Sequence, residues 1–226
     1  ENSRAAFLRA AEAGLGSELD VYLTRDGKLI VHHDPTLKRM CGKRVLPYNV
    51  DTSHLENYPL LGTKECVPLF EDVLKDLGER GRLIVEIKTT SRVDSTCRAV
   101  YDALKDYEGK WCIESFNWHI TDWWVKHHPE VVIGQLYDIY SFQFLPVKLR
   151  KQYKTMDFLA IPVKKPREEY FLPIKKAHPE KMVIMWTVRT PDTFETAKRI
   201  ADNIIFECDD KKADNIALEK AKSFLS

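Results

Sequence analysis

The sequence predicts an α/β fold, a (β/α)8 TIM barrel that forms a single domain over residues 1–226. Three observations indicate this. Strand-like and helix-like segments alternate along the chain, as in βαβ units with a parallel sheet. Seven of the predicted strands are suited to run parallel, and the chain begins with a helical pattern, the second half of a βα unit. One strand before Glu1 would complete eight units, so we expect the first barrel strand to lie in a native segment upstream of this sequence.

A doubly wound open sheet is the alternative fold. Its phosphate-binding loop needs three glycines at fixed spacing, and Gly14-Leu15-Gly16 lacks the third. A Walker A run is also absent from the sequence. These two observations favour the barrel.

The first third of the chain contains a helix, a hairpin and a long connection. Asn2-Ser3 provides an N-cap for a helix with an apolar stripe that ends at Gly14. Strands at 17–23 and 29–32 flank Asp26-Gly27, a strong hairpin signal. A polar, proline-containing excursion then runs from about 36 to 67 and leads to a helix at 69–77.

From there strands and helices alternate regularly. The predicted strands lie at 83–88, 111–115, 131–136, 158–163, 182–188 and 203–206. The predicted helices lie at 93–104, 120–127, 147–153, 168–177, 193–200 and 213–224.

The composition excludes several classes of protein. With 35 Lys+Arg against 34 Asp+Glu the net charge is +1, so no overall field favours nucleic acid or an anionic membrane. The longest apolar runs are too short to cross a bilayer, so we expect no stable membrane insertion. Five cysteines without a C-x-x-C pair argue against a disulfide framework and a cysteine zinc site. They favour a reducing, cytoplasmic location.

Two predicted strands carry charged side chains on their inner face. In the strand at 17–23 apolar residues alternate with Glu18, Asp20 and Tyr22, so both carboxylates point into the barrel. The strand at 83–88 repeats the pattern with Glu86 and Lys88 at its C-terminal end, where barrel enzymes place their active sites.

Three converging carboxylates repel one another and lose hydration, and a bound cation is the simplest compensation. All-oxygen ligation favours Mg²⁺, Ca²⁺ or Mn²⁺ over zinc. Each carboxylate by itself also fits a solvated edge or an ordinary ion pair. Only the repetition on two strands indicates a metal site.

The hairpin returns two histidines towards the carboxylates, in the run Val31-His32-His33-Asp34-Pro35. If the strand continues, the two side chains face opposite ways, so at most one reaches the site. A histidine beside a cation suits general acid–base catalysis, although a packed or surface role is the commoner use of a lone strand histidine.

The sequence resembles the glycerophosphodiester phosphodiesterase family along nearly the whole chain. The stretch from E-L-D-V to H-D-P is highly specific for that family, and the later motifs are individually weak. The matching motifs, in order, are Glu1-Asn2-Ser3, Glu12-Ala13-Gly14, Glu18-Leu19-Asp20-Val21, Leu23-Thr24-Arg25-Asp26-Gly27, His33-Asp34-Pro35-Thr36-Leu37, Val85-Glu86-Ile87-Lys88, Glu114-Ser115-Phe116 and Trp186-Thr187-Val188.

The resemblance implies a TIM barrel and a divalent ion bound by Glu18, Asp20 and Glu86. His33 matches one of the two acid–base histidines, and Lys88 matches a phosphate-contacting lysine. Trp186 matches an aromatic wall of the substrate pocket. The family's other histidine belongs to an H-R-G motif shortly before the Glu-Asn-Ser segment, so we expect that motif upstream of Glu1. The implied substrate is a small-molecule glycerophosphodiester, cleaved to glycerol 3-phosphate and an alcohol, and both water and the substrate's own 2-hydroxyl fit the role of attacking group.

Other functional classes also fit parts of the sequence. A zinc amidohydrolase uses a His-x-His pair on its first strand, but the later predicted strands here offer no histidine at a C-terminal end. Another phosphodiester- or lysophospholipid-cleaving barrel of the same superfamily is an alternative, as is a non-catalytic barrel that binds a phosphorylated ligand. The presence of all five polar site residues of the first half of the chain argues against the non-catalytic alternative.

Overall fold

The computed structural model describes residues 1–138, 154–164, 175–176 and 178–207. The chain divides into two compact units, Glu1–Val131 and Val132–Ser226, which are described separately below. The prediction of a single domain stays a prediction.

The first unit contains five α-helices and a mixed four-stranded sheet within the described residues. The helices are α1 (Arg4–Glu12), α2 (Lys38–Cys41), α3 (Phe70–Leu77), α4 (Val93–Leu104) and α5 (Trp118–His127). The strands are β1 (Ser17–Leu23), β2 (Leu29–Val31), β3 (Arg82–Ile87) and β4 (Lys110–Ser115). Their order in the sheet is β2-β1-β3-β4, with β2 antiparallel to β1 and the other neighbours parallel.

The predicted hairpin joins β1 to β2. Leu23 pairs with Leu29, and Gly27 takes the positive φ of 80° that the turn requires and that glycine adopts without strain. The second strand ends at Val31, one residue before the predicted end. The backbone N–H of His32 still donates to the carbonyl oxygen of Asp20, at 2.9 Å, so the chain stays beside β1 as it leaves the sheet.

Helix α3 shows why the helices form where the pattern places them. Its buried residues are Phe70, Val73, Leu74 and Leu77, at the spacing that puts them on one face. Glu71 and Asp72 lie in its first turn, where negative charge is favourable near the helix N-terminus. The helix packs against α1 and β2.

The sequence pattern suggested a polar excursion between β2 and α3, but the structure shows that it also contains helices and buried apolar residues. It contains α2 and two 3-10 helices, Pro47–Asn49 and Thr52–Asn57. Together with β2 it buries a hydrophobic cluster made of Ile30, Leu37, Cys41, Val50, Leu60 and Val67. The polar prediction was wrong because these side chains are spaced irregularly, without the period of a helix or a strand that would reveal a buried face.

The second unit contains a parallel sheet in the order β5-β6-β7-β8. The strands are β5 (Ile133–Leu136), β6 (Phe158–Pro162), β7 (Met182–Val188) and β8 (Asn203–Phe206), and helix α6 (Pro191–Ile200) joins the last two. Thr190 caps α6, and the helix buries Phe194, Ala197 and Ile200 in a core shared with β6 and β7.

The predicted bounds of the described strands from β1 onward, and of helices α3 to α6, agree with the structure to within two residues. The helices predicted at 147–153 and 213–224 lie outside the described residues, as does that at 168–177 except for residues 175 and 176. Cys41, Cys66 and Cys97 are free thiols. Within that part, every helix is too short or too polar to traverse a bilayer.

Candidate active site

Three buried carboxyl groups lie in a row across the first sheet. Asp20 on β1 pairs with Glu86 on β3, and Glu86 pairs with Glu114 on β4. Paired residues of parallel strands point to the same side of the sheet, with their backbones about 4.8 Å apart. The side chains of Asp20, Glu86 and Glu114 are therefore neighbours, and the three residues are only 1%, 7% and 1% exposed.

Glu18, Asp20 and Glu86, the three predicted metal ligands, come together. Each offers one carboxylate oxygen, and these three oxygens all lie within 4.8 Å of one another. We call this group the carboxylate cradle. Its donors are hard anionic oxygens without a thiolate or imidazole, so the cradle fits Mg²⁺, Ca²⁺ or Mn²⁺ better than a soft metal.

Lys88 lies at the cradle, immediately after β3. Its Nζ is 2.7 Å from Oδ1 of Asp20 and 2.9 Å from Oε1 of Glu86. The lysine side chain is 11% exposed. The sequence pattern correctly places Lys88 on the same side as the carboxylates, but it does not indicate that the ammonium binds two of them directly.

Asn2 holds the other oxygen of Asp20. Its amide Nδ2 donates to Oδ2 of Asp20 at 2.6 Å. Asn2 has a φ of 46°, the left-handed conformation that asparagine tolerates better than most residues. The sequence pattern indicates only a capping role for Asn2, because its partner Asp20 lies 18 residues away.

The cradle brings three carboxyl groups against one ammonium, and burial together with these charges shifts the pKa values of several of them. Burial raises the pKa of Glu86 to about 7; the Lys88 ammonium opposes that rise and Asp20 adds to it. Burial, followed by the charge of Asp20, raises the pKa of Glu18 well above its ordinary value. Burial tends to lower the pKa of Lys88, but the Glu86 and Asp20 carboxylates outweigh that effect and raise it.

Glu114 is a site residue that sequence reasoning did not identify as one. Its Oε2 is buried and has no hydrogen-bond partner among the described residues, and burial and Glu86 raise its pKa well above the ordinary value. Its alternation with the fully buried Ile113 on a barrel strand is the signal that could have placed it inward. A buried carboxyl without a partner beside the cradle is a further indication that this region accommodates a cation.

His33 belongs to a second, more exposed group. Its Nδ1 lies 2.9 Å from Oδ1 of Asp34, and its side chain is 56% exposed. Arg39 binds both oxygens of Asp34, with Nε at 2.7 Å and Nη2 at 2.8 Å, and it also binds Glu1. The Arg39 hydrogen bonds hold the pKa of the Asp34 carboxyl well below its usual range.

The two groups are joined at the start of the chain, because Glu1 contacts Arg39 and the next residue, Asn2, contacts Asp20. His32 has a different hydrogen-bond partner from His33. It is buried, its Nε2 lies 3.1 Å from the carbonyl oxygen of Thr36, and burial lowers its pKa. The two neighbouring histidines thus have different partners and different exposure, and the role of His33 at the site stays a prediction.

Trp186, the predicted aromatic wall, lies on β7 of the second unit and is partly buried. Its backbone carbonyl accepts from the N–H of Val163, at 2.7 Å. Its role at the substrate stays a prediction.

The chain is similar in sequence to a known phosphodiesterase. The chain is 32% identical over 148 residues to the glycerophosphodiester phosphodiesterase of Caldanaerobacter subterraneus subsp. tengcongensis, an alignment that covers 61% of each chain. It therefore spans about three fifths of that relative's length.

Two solved structures share the fold. One is the glycerophosphodiester phosphodiesterase of Thermotoga maritima, with a TM-score of 0.76, 24% identity, and coverage of 91% of this chain and 88% of that one. The other is a phosphodiesterase of Oleispira antarctica in complex with the product sn-glycerol-3-phosphate, with a TM-score of 0.76, 18% identity, and coverage of 97% and 91%. The predicted α/β barrel class is confirmed by these structures.

A sequence model of one family matches residues 1–206, which include every predicted site residue. The resemblance noted in the motifs is thereby confirmed, and the chain belongs to the glycerophosphoryl diester phosphodiesterase family.

Proposed function

We propose that this chain is a metal-dependent phosphodiesterase that hydrolyses a glycerophosphodiester to glycerol 3-phosphate and an alcohol. The observation that carries the proposal is the carboxylate cradle of Glu18, Asp20 and Glu86, with the Lys88 ammonium beside it. The family name and the glycerol 3-phosphate bound by the Oleispira antarctica relative support the choice of substrate.

The cradle would hold a hard divalent ion, Mg²⁺, Ca²⁺ or Mn²⁺. When bound, such an ion supplies a Lewis acid that polarises the phosphate oxygens. Lys88 adds a second positive charge where the phosphoryl group gains negative charge in the transition state. Asn2 keeps Asp20 oriented, so the cradle is pre-organised before any ligand arrives.

His33 would transfer the proton. The Asp34 carboxyl is ionised at neutral pH because Arg39 lowers its pKa, so it accepts a hydrogen bond and Nδ1 of His33 carries the hydrogen. The other ring nitrogen, Nε2, is then the atom that takes a proton from the attacking group or gives one to the leaving alkoxide. Both water and the substrate's 2-hydroxyl fit as the attacking group.

The direct test measures glycerol 3-phosphate release from glycerophosphocholine and glycerophosphoethanolamine, together with cleavage of bis(p-nitrophenyl) phosphate. Each assay is run with Mg²⁺, Ca²⁺, Mn²⁺, Zn²⁺ or EDTA. We expect turnover with the hard ions and none in EDTA. Asp20→Asn should abolish it, whereas Asp102→Asn, an exposed change on α4, should not.

Three outcomes contradict parts of the proposal. Full activity in EDTA would exclude the metal, and activity with zinc alone would favour the amidohydrolase alternative. Binding of glycerol 3-phosphate without turnover of any substrate would favour a non-catalytic barrel.

A further inference from the structure

Lys88 contacts two of the three carboxylates that would hold a metal ion. Its Nζ contacts Oδ1 of Asp20 and Oε1 of Glu86, at 2.7 and 2.9 Å. Oδ2 of Asp20 accepts the hydrogen bond from Asn2. Asn2 therefore leaves Oδ1 of Asp20 for a cation, and the ammonium lies against it.

An ammonium and a hard divalent ion compete at such oxygens. Ca²⁺ and Mg²⁺ bind carboxylate oxygens at about 2.0–2.6 Å, closer than the lysine contacts. Their double charge also repels a neighbouring ammonium, and repulsion between like charges grows as solvent is excluded. Both Asp20 and Glu86 are more than nine-tenths buried, so little water is present to screen it.

We propose that Lys88 is an exchangeable counter-ion of the carboxylate cradle. It binds Asp20 and Glu86 until a divalent ion displaces its ammonium, and the released ammonium then becomes available to the substrate's phosphate. This inference rests on the proposed function, since it assumes that the cradle binds a divalent ion. It adds that ion binding and the release of a phosphate-binding lysine are a single event.

Reciprocal coupling follows from this exchange. If the ion releases the ammonium, then the ion strengthens anion binding, and the anion strengthens ion binding by the same factor. A lysine that keeps its carboxylate contacts after ion binding gives no such coupling through its own side chain. A lysine that the ion releases and a lysine that keeps its carboxylate contacts therefore differ in two measurable ways. They differ in the effect of the ion on phosphate affinity, and in the contacts of the Lys88 ammonium.

The first test uses the unaltered protein. Lysines are acetylated briefly with acetic anhydride, with and without saturating Ca²⁺, and the modification at each lysine is measured by mass spectrometry. We expect Ca²⁺ to increase acetylation of Lys88 about five-fold or more, since an ammonium paired with two carboxylates reacts slowly. Lys105, the exposed residue that follows α4 and is paired with Asp102, is the internal reference and should not change. Equal acetylation of Lys88 in both conditions would overturn the exchange.

The second test compares ion affinities by calorimetry. Lys88→Met removes the competing charge and should bind Mn²⁺ about ten-fold more tightly than the unaltered protein, whereas Lys105→Met should bind it equally well. In the unaltered protein, saturating Mn²⁺ should tighten the binding of inorganic phosphate, and this coupling should be smaller in Lys88→Met, which keeps only the direct attraction between the ion and the phosphate. Weaker Mn²⁺ binding by a folded Lys88→Met protein would show that the lysine supports the ion site and would overturn the proposal.

These measurements separate the inference from the proposed function. An unaltered protein that binds no divalent ion overturns both. If the protein binds the ion with the expected effects of Lys88 but hydrolyses no glycerophosphodiester, the exchange stands and the proposed activity fails. If it hydrolyses the substrate but Lys88→Met leaves the Mn²⁺ affinity unchanged, the activity stands and the exchange is wrong.

Discussion

Glu86 and Glu114 lie side by side on β3 and β4, both buried and both with a raised pKa. Two like-charged groups in a site with little water raise the free energy of the folded chain when both are ionised. The unfolded chain does not have this cost, because water solvates each carboxylate separately. The pair therefore couples the stability of the first unit to pH.

The metal-free protein should lose stability as the pH rises from about 4.5 to about 7, the ordinary and raised pKa values of Glu86. In this window the folded state still holds a proton that the unfolded state has released, so a rise in pH favours unfolding. The measurement is the urea midpoint in EDTA at pH 5, 6, 7 and 8. A midpoint that rises across this range would contradict the assignment.

Glu114→Gln should stabilise the metal-free protein at pH 8 by on the order of 1 kcal/mol and flatten this pH dependence. The amide has nearly the same shape as the carboxyl, remains neutral and can donate to the neighbouring carboxylates. Glu79→Gln, an exposed change in the same unit, is the matched control and should leave the urea midpoint unchanged at each pH.

His33→Ala should reduce kcat by about 10² to 10⁴, the usual contribution of one acid–base group. Stability should change little, because the His33 side chain is 56% exposed. His54→Ala, an exposed histidine of the excursion paired with Glu56, is the control and should retain full activity. Unchanged turnover of His33→Ala would remove it from the proposed mechanism.

Arg39→Met should reduce kcat about ten-fold with a smaller change in KM, since Arg39 holds Asp34 against His33. The double variant with His33→Ala should be no slower than His33→Ala alone, because no histidine is then left for this pair to position. Arg25→Met, which breaks the exposed pair with Asp51, is the control. Independent, multiplicative losses in the double variant would exclude this positioning role.

Gly134→Ala should destabilise the second unit by about 1–3 kcal/mol, the cost of inserting a methyl group into a packed core. A Cβ on Gly134 would lie 2.0 Å from the ring of Phe158, its partner on β6. Adding Phe158→Leu should restore part of the loss by making space for the methyl group. Thermal unfolding checks both variants, and a Gly134→Ala protein of unaltered stability would show that the ring moves aside at no cost.

Much of the candidate site could be predicted from the local sequence pattern of two strands. The period of two along β1 and β3 places Glu18, Asp20, Glu86 and Lys88 on one side of the sheet, whatever the rest of the chain does. The parallel pairing of most strands follows from the alternation with helices. These features depend on residues close together in the sequence, which is why the sequence alone predicts them.

The contacts between distant residues were decided by the tertiary structure. Asn2 reaches Asp20 across 18 positions, Arg39 reaches Glu1 across 38, and Glu114 lies 28 positions after Glu86. Strand register and the path of the excursion bring these groups together, and neither is specified by a short-range period. The irregular apolar residues of the excursion gave no signal for the same reason.

By itself, therefore, the sequence determined the α/β class and the side of the sheet on which the charged groups lie. Only the tertiary structure decided which charges meet: Lys88 with Asp20 and Glu86, and Arg39 with Asp34 and Glu1. The physical reason is the separation along the sequence over which each feature is determined. Side-chain direction is a property of a few consecutive residues, whereas the partner of a buried charge depends on every segment that packs around it.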